Sequence, residues 1–249
     1  MDNRETVIST NKLTKRFGDF IATNEITFDV HAGEIFGFLG ANGAGKTTAM
    51  RMLCGLSTPS SGTATIAGYD IYKQTESIKK NIGYMSQKFS LYEDLTILEN
   101  IRFFAGIYGL PSNKIKEKSD LLIEELGLQN EAGKLVGSLP PGWKQKLAFS
   151  VAILHDPKIV FLDEPTGGVD PVTRRQFWDL IYKASASGIT VFVTTHYMDE
   201  AEYCNRISMM VDGVIKALDT PNNLKKQFKA SSMDEVFFEL ARGAKRKAD

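Results

Sequence analysis

The sequence predicts an α/β fold with a mainly parallel sheet, an antiparallel β subdomain and an inserted helical subdomain. Short, near-continuous apolar runs at 34–39, 159–162 and 190–194 are typical of strands buried on both faces of a parallel sheet. Residues 7–30 instead alternate between apolar and polar side chains, as antiparallel strands do. Between 88 and 156 the apolar spacing becomes helical, so we interpret this region as an insertion.

Composition narrows the class of protein. The chain has 249 residues, of which 43 % are hydrophobic and 24 % charged, which is enough to bury a substantial core. Thirty basic and thirty acidic residues cancel, so we expect no nucleic-acid partner. Residues 1–10 lack a secretory pattern and no apolar run approaches the roughly 18 residues of a membrane span, which predicts a cytoplasmic protein. Cys54 and Cys204 lack zinc-ligand spacing and are predicted to be buried, reduced thiols.

The elements of the first third follow from alternation and turn residues. Strands are predicted over 7–16 and 21–30, and the turn 31–33 leads into the apolar run at 34–39. A further turn over 59–62 precedes the remaining predicted elements of this part, which are a strand at 63–66, a brief helix at 77–80 and a buried strand at 82–85.

The later elements have clear end signals. Thr96 and Glu99 form a capping box that opens a helix through residue 108, and 112–126 shows helical apolar spacing. Another helix begins after Asp170, with Pro171 at its first position and Gly188 beyond its end. Asp212-Gly213 predicts a two-residue hairpin between strands at 207–211 and 214–218. The residues from 221 to 249 are interpreted as a C-terminal tail.

The stretch Gly40–Thr48 fits G-x-x-x-x-G-K-[ST], the phosphate-binding P-loop. Its glycines allow a tight turn that aims backbone N–H groups at phosphate oxygens, Lys46 adds charge, and a helix beginning near Thr47 adds its positive dipole end. The Thr47 hydroxyl suits the Mg²⁺ that accompanies a nucleotide triphosphate. The predicted nucleotide contacts in the loop are Gly40, Asn42, Gly43, Ala44, Gly45, Lys46, Thr47 and Thr48.

An acidic pair follows the predicted strand at 159–162. Because the carboxyl ends of parallel strands carry ligand-binding residues, Asp163 and Glu164 are expected near the P-loop. We expect Asp163 to hold Mg²⁺ and Glu164 to act as the general base that deprotonates the attacking water. The motifs together predict a P-loop NTPase core over 1–87 and 157–220.

With these motifs in view, essentially the whole chain resembles the ATP-binding subunit of an ABC transporter. The resemblance implies that Phe17 stacks on adenine and that Gln87, the glutamine of the Q-loop, contacts Mg²⁺ or water and couples the helical subdomain to a membrane partner. It likewise implies that His196 reads the γ-phosphate and that Gly167–Asp170 forms a loop crossing a dimer interface. The 1–249 chain is thus expected to be one ABC ATPase domain, with Gln87 and His196 joining Glu164 as catalytic residues.

One segment departs from the family pattern. Where the family has L-S-G-G-Q, this chain has Leu139-Pro140-Pro141-Gly142-Trp143. Pro140 has no hydroxyl with which to cap the following helix, and Pro141 has no N–H, so Gly142 and Trp143 are the expected donors to the γ-phosphate held by a partner. We expect a weakened contact and hypothesise that Lys144 compensates electrostatically.

The resemblance also implies partners and a location. Because each such signature faces the P-loop of another subunit, it implies a dimer, formed with a second copy or a paralogue, that encloses ATP and reopens on hydrolysis. It implies a separate membrane-spanning subunit and a peripheral place at the cytoplasmic face of the membrane. The segments 95–101 and 195–202 look most like drug and ABC-2 exporters. Two alternatives stay open, a soluble ABC ATPase acting on ribosomes or DNA and a regulatory module that hydrolyses ATP weakly.

Overall fold

The structure, a computed structural model, describes residues 4–87, 90–242 and 244. The strands form two sheets, with the orders β2-β1-β4-β5 and β10-β9-β3-β8-β7-β6. Their bounds are β1 Thr6–Phe17, β2 Phe20–His31, β3 Ile35–Leu39, β4 Ser61–Ile66, β5 Tyr69–Asp70, β6 Ile82–Met85, β7 Ile159–Asp163, β8 Thr190–Thr195, β9 Arg206–Val211 and β10 Val214–Asp219. The α-helices are α1 Lys46–Leu53, α2 Thr75–Asn81, α3 Ile97–Ile107, α4 Ser112–Glu125, α5 Pro141–Ala152, α6 Pro171–Ala186, α7 Pro221–Phe228 and α8 Met233–Ala241.

The six-stranded sheet positions the site. Its pairs β9-β3, β3-β8, β8-β7 and β7-β6 are parallel, and only the hairpin pair β10-β9 is antiparallel. Every residue of β3, β7 and β8 is buried, as their continuous apolar runs predict. Since parallel strands end at one edge, the segments that follow β3, β6, β7 and β8 meet there.

The antiparallel sheet packs against the parallel one through aromatic rings. The ring of Phe28 on β2 stacks on that of Phe36 on β3, with centroids 5.6 Å apart and an interplanar angle of 8°. Phe192 on β8 is fully buried and its centroid lies 5.3 Å from those of Phe38 and Phe161. These rings form the centre of a core shared by the two sheets.

The hairpin between β9 and β10 links three parts of the chain. Asp212 and Gly213 both have positive φ, 52° and 83°, as the Asp-Gly turn requires. The amide of Asn24 on β2 donates to the carbonyl of Gly213 at 2.7 Å, and the amide of Gly213 donates to the carbonyl of Ala44 at 3.0 Å. The hairpin tip therefore connects the antiparallel sheet to the predicted P-loop.

Helices α3, α4 and α5 occupy the predicted insertion. The Thr96 hydroxyl accepts from the amide of Glu99 while the Glu99 carboxylate accepts from the amide of Thr96, which confirms the capping box. Apolar side chains of these helices join a second core cluster with β7, β8 and α6. The predicted start of the insertion at Lys88 lies outside the described residues.

Several elements differ from the sequence predictions. Within the predicted C-terminal tail, residues 221–228 and 233–241 form α7 and α8, and the side chains of Thr220 and Ser232 cap the two helices. Gly243 and residues 245–249 of the predicted tail lie outside the described residues. Strand β4 begins at Ser61, inside the predicted turn, where it pairs with Thr14. The short strand β5 and a 3₁₀ helix over Met198–Tyr203 were not predicted.

Two further observations concern membrane-spanning helices and the two cysteines. Within the described part of the chain, none of the helices is both long enough and apolar enough to cross a bilayer. Cys54 and Cys204 are free and buried, as predicted. Burial raises the pKa of both thiols, so they stay protonated at neutral pH.

Candidate active site

The loop between β3 and α1 has the conformation that its glycines permit. Gly45, which precedes α1, has a φ of +108°, and a Cβ there would lie 2.3 Å from the carbonyl oxygen of Ala22. Gly43 has a φ of +73°, and a Cβ on it would meet nothing within 4 Å. The loop is thus pressed against β2 on one side and open on the other, where a phosphate can approach its N–H groups.

Lys46 lies folded back onto this loop and is only 4 % exposed. Its Nζ donates to the carbonyl of Gly40 at 2.8 Å and to that of Ala41 at 3.1 Å, and lies 3.2 Å from Oε1 of Glu164. Burial lowers the pKa of Lys46, while the Glu164 carboxylate opposes that shift. A cation so held can bind the outer phosphates of a nucleotide.

Asp163 and Thr47 bring oxygen ligands together. The Thr47 hydroxyl donates to Oδ1 of Asp163 at 3.2 Å, and the Thr194 hydroxyl donates to the same atom at 2.6 Å. Burial raises the pKa of Asp163, which is 2 % exposed. One carboxylate and one hydroxyl beside a phosphate loop fit Mg²⁺, which takes few protein ligands and completes its shell with phosphate and water. The described residues hold no cluster of three or more His, Cys, Asp or Glu arranged for a metal.

Glu164 has a strained backbone that directs its side chain into the site. Its φ is +48°, a left-handed conformation that costs a non-glycine residue about 1–3 kcal/mol and persists only where neighbours hold it. The amide of Glu164 donates to both the carbonyl and the hydroxyl of Thr194, each at 3.1 Å. Strand β8 therefore holds the strained residue at its backbone.

Two further side chains converge on the Glu164 carboxylate. Nε2 of Gln87, just after β6, donates to Oε2 at 3.1 Å, and Nδ1 of His196, just after β8, lies 3.0 Å from the same oxygen. Lys46 approaches the other carboxylate oxygen. A carboxylate held by such neighbours can accept a proton from a water molecule as that water attacks.

A cavity of about 390 Å³ lies over the loop. It is lined by residues 42–48, Gln87, Glu164, Ala22 and Phe20. Phe17, the predicted adenine contact, is not among its lining residues; it is 56 % exposed, with Nζ of Lys15 above its ring at 5.2 Å. Sequence reasoning missed Phe20, which pairs with Phe17 across the β1-β2 turn and is 53 % exposed.

The sequence around this site matches a known family. A family model described as ABC transporter matches residues 23–167, more than half of the chain. The chain belongs to the ABC transporter family. This confirms the resemblance drawn from the motifs, and the ABC match includes the P-loop, Gln87 and Glu164.

Individual ABC proteins are similar over most of the chain. It is 48 % identical over 241 residues to the probable multidrug ABC transporter ATP-binding protein YbhF of Escherichia coli K12, covering 95 % of this chain and 42 % of that protein. The chain thus spans less than half the length of this relative. It is 36 % identical to Nod factor export ATP-binding protein I of Cupriavidus pinatubonensis, covering 88 % of this chain and 67 % of that protein. A solved ATP-binding subunit of an ABC transporter matches with a TM-score of 0.85 at 28 % identity, covering 95 % and 100 % of the two chains.

The altered ABC signature forms the start of α5. Pro140 occupies the N-cap position and Pro141 the first helical turn, as predicted. Gly142 is packed so closely that a Cβ would lie 2.6 Å from Cγ2 of Thr173 on α6. Gly142 and Trp143 do not line the cavity over their own P-loop. Nζ of Lys144 lies 2.6 Å from a Glu93 oxygen, so its charge is partly neutralised within this chain, which weakens the compensation hypothesis.

Proposed function

We propose that this chain is the ATP-binding and ATP-hydrolysing subunit that powers an ABC transporter of the exporter type. The observation that carries the proposal is the convergence of Lys46, Gln87 and His196 on the carboxylate of Glu164. A structural ion pair would need only one of these partners. Three polar groups around a strained acid beside a phosphate loop are typical of a site that moves a proton.

Each group has a distinct role in the proposal. The P-loop amides and Lys46 bind the phosphates of ATP, and Asp163 with Thr47 would hold Mg²⁺, which when bound neutralises charge on the phosphate oxygens. Glu164 accepts the proton of the attacking water. His196 and Gln87 orient that carboxylate, and Gln87 additionally lies where β6 leads towards the helical insertion.

The proposal extends to assembly. The residues Gly142 and Trp143 lie away from their own cavity, which supports a composite site in which they face the nucleotide of a second cassette. Adenine stacking on Phe17 is kept as part of this proposal, with Phe20 as its neighbour. In this proposal ATP favours the closed dimer, and the insertion of 88–156 carries that change from the core of 1–87 and 157–220 to the membrane-spanning partner.

Transport is proposed from the names of the relatives. YbhF is named a probable multidrug transporter protein, and the Cupriavidus relative is named for Nod factor export. We infer that this chain drives export through a separate membrane-spanning subunit and is peripheral at the cytoplasmic face of the membrane. Co-purification with this chain would identify the second cassette as another copy or as a paralogue.

The test separates binding from turnover. Phosphate release is measured for the wild type and for Glu164→Gln with ATP and Mg²⁺, and dimer formation is followed by light scattering. We expect the wild type to release phosphate, and we expect the variant to bind ATP, release phosphate far more slowly and accumulate as a dimer. A wild type that binds ATP without phosphate release would indicate the regulatory alternative, and a variant that stays monomeric at saturating ATP would contradict the composite site.

A further inference from the structure

A buried acid outside the proposed catalytic set lies beside the site. Glu200, in the 3₁₀ helix after β8, is 0 % exposed. Its Oε1 accepts from the hydroxyl of Thr166 at 2.6 Å and from Nε1 of Trp178 at 3.4 Å. Thr166 is itself fully buried. Glu200 thus connects the segment after β8 to the segment after β7.

The Thr166 contact bears on Glu164. Thr166 lies two residues beyond Glu164, whose left-handed backbone is held on its other side by Thr194. The amide of Gly167 donates to the carbonyl of Glu164 at 3.1 Å, which closes a tight turn around Thr166. The hydroxyl of Thr166 therefore anchors the far side of the turn that aims the Glu164 carboxylate.

A second set of contacts leads from Glu200 to His196. Nε of Arg174, in the first turn of α6, lies 3.7 Å from Oε1 of Glu200. The Arg174 guanidinium stacks 4.2 Å from the ring centroid of Tyr197, and that ring lies 4.2 Å from the ring of His196. The His196 ring is thus supported by a chain of contacts that ends at Glu200.

One set of contacts leads from Glu200 to Glu164, and the other leads from Glu200 to His196. We propose that Glu200 is a positioning residue for ATP hydrolysis, which sets Glu164 through Thr166 and His196 through Arg174 and Tyr197. The inference rests on the proposed function and deepens it. In this inference the buried carboxylate of Glu200 keeps Glu164 and His196 in their positions relative to each other.

A role in stability alone accounts poorly for this arrangement. Among the contacts of the described residues, Oε2 of Glu200 and Nε of Arg174 have no hydrogen-bond partner, although both are buried. Glu200 is fully buried, whereas Arg174 is 21 % exposed and also pairs with Asp199. An ion pair that leaves a buried carboxylate oxygen unsatisfied is poorly optimised for stability, and apolar groups often replace buried ion pairs without loss. The hydroxyl of Thr166 instead joins Glu200 to the segment that carries Glu164, and Arg174, 3.7 Å from Glu200, stacks on Tyr197 beside His196.

The test removes the contact of Glu200 with Thr166 and its contact with Arg174 separately, in the full chain. Thr166→Val removes the hydroxyl that reaches Glu200, Thr166→Ser restores it, and Glu200→Gln keeps an acceptor for Thr166 but removes the charge that faces Arg174. Because misplacing a reacting group by about 1 Å can cost about 100-fold in rate, we expect kcat for ATP hydrolysis to fall about 10- to 100-fold in Thr166→Val and Glu200→Gln. Since the P-loop is untouched, KM should change little, and Thr166→Ser should recover most of the rate.

The matched control is Glu34→Gln. Glu34 is also 0 % exposed and pairs with Arg206 at 3.2 Å, away from the cavity over the P-loop. We expect this variant to lose stability in thermal unfolding while keeping the kcat of its folded fraction. Equal kcat in the wild type, Thr166→Val and Glu200→Gln, or a loss no larger than that of Glu34→Gln, would overturn the positioning role. A wild type without any hydrolysis would overturn the proposed function as well.

Discussion

Nδ1 of His196 lies 3.0 Å from Oε2 of Glu164, and the side-chain Nε2 of Gln87 donates to the same oxygen at 3.1 Å. The three residues come from the ends of β8, β7 and β6, which are neighbours in the parallel sheet. Oε2 of Glu164 is therefore contacted by residues that follow the neighbouring strand on either side. This relationship predicts how the site responds to substitution.

Glu164→Gln should slow ATP hydrolysis strongly while leaving nucleotide binding intact. General-base catalysis contributes about 10²- to 10⁴-fold, so we expect kcat to fall by that factor. The P-loop contacts that bind phosphate are kept, and fluorescence titration with a nucleotide analogue should give an affinity similar to that of the wild type. Glu76→Gln, which changes an exposed helical acid, is the control and should hydrolyse ATP normally. Full activity in Glu164→Gln would exclude it as the base.

Gly45→Ala should damage the P-loop. The added Cβ would lie 2.3 Å from the carbonyl of Ala22, in a backbone with a φ of +108°. Either the loop or β2 must move, so we expect loss of ATP binding by calorimetry. Gly188→Ala is the control, because its φ is +98° but a Cβ there meets nothing within 4 Å. Gly188→Ala should lose about 1–2 kcal/mol of stability, because a left-handed backbone is unfavourable for alanine, and should keep its affinity for ATP. Equal losses of ATP affinity in the two variants would show that the contact with Ala22 is not responsible.

Phe192→Ala should destabilise the whole chain. The ring is fully buried between the sheets, with the Phe38 and Phe161 centroids each 5.3 Å away. Removing a buried aromatic ring leaves a cavity and costs about 3–5 kcal/mol, which urea unfolding would measure. Phe238→Ala, at a side chain 63 % exposed, should change the free energy of unfolding by far less. A small effect at Phe192 would mean that the two sheets do not share this core.

His155 should make stability depend on pH. Its ring stacks on Tyr108 with centroids 3.9 Å apart, and burial lowers the pKa of His155 below its ordinary 6.5. Between that lowered pKa and 6.5 the unfolded chain binds a proton that the folded chain does not, so the free energy of unfolding falls as pH decreases through this window. His155→Phe keeps a ring for stacking and cannot titrate, so its unfolding curves should vary less with pH there. An unchanged slope would contradict this assignment.

Local signals predicted much of the fold. The bounds of β6, the capping box at Thr96, and the start of α6 after Asp170 match because each depends on residues within a few positions of one another. The P-loop was likewise predictable, because its phosphate-binding residues are consecutive in the sequence. The ABC transporter family model matches residues 23–167, a range that includes the P-loop.

Long-range contacts and weak local signals account for what was missed. The pairing of Thr166 with Glu200 joins residues 34 positions apart, and no periodicity indicates it. Phe20 was missed because its place in the cavity depends on how the β1-β2 turn lies over the P-loop. Helices α7 and α8 are short, so the capping residues Thr220 and Ser232 are weak signals for them in the sequence.

The hairpin tip at Asp212-Gly213 has a practical consequence for anyone engineering this protein. It is a short turn between two strands, the kind of place usually chosen for inserting a tag or a fluorescent label. Yet the backbone of Gly213 is bonded to Ala44 in the phosphate loop and to Asn24 on the other sheet. An insertion there would disturb nucleotide binding from outside the binding motif, whereas the exposed turn beyond α6 offers a safer attachment point.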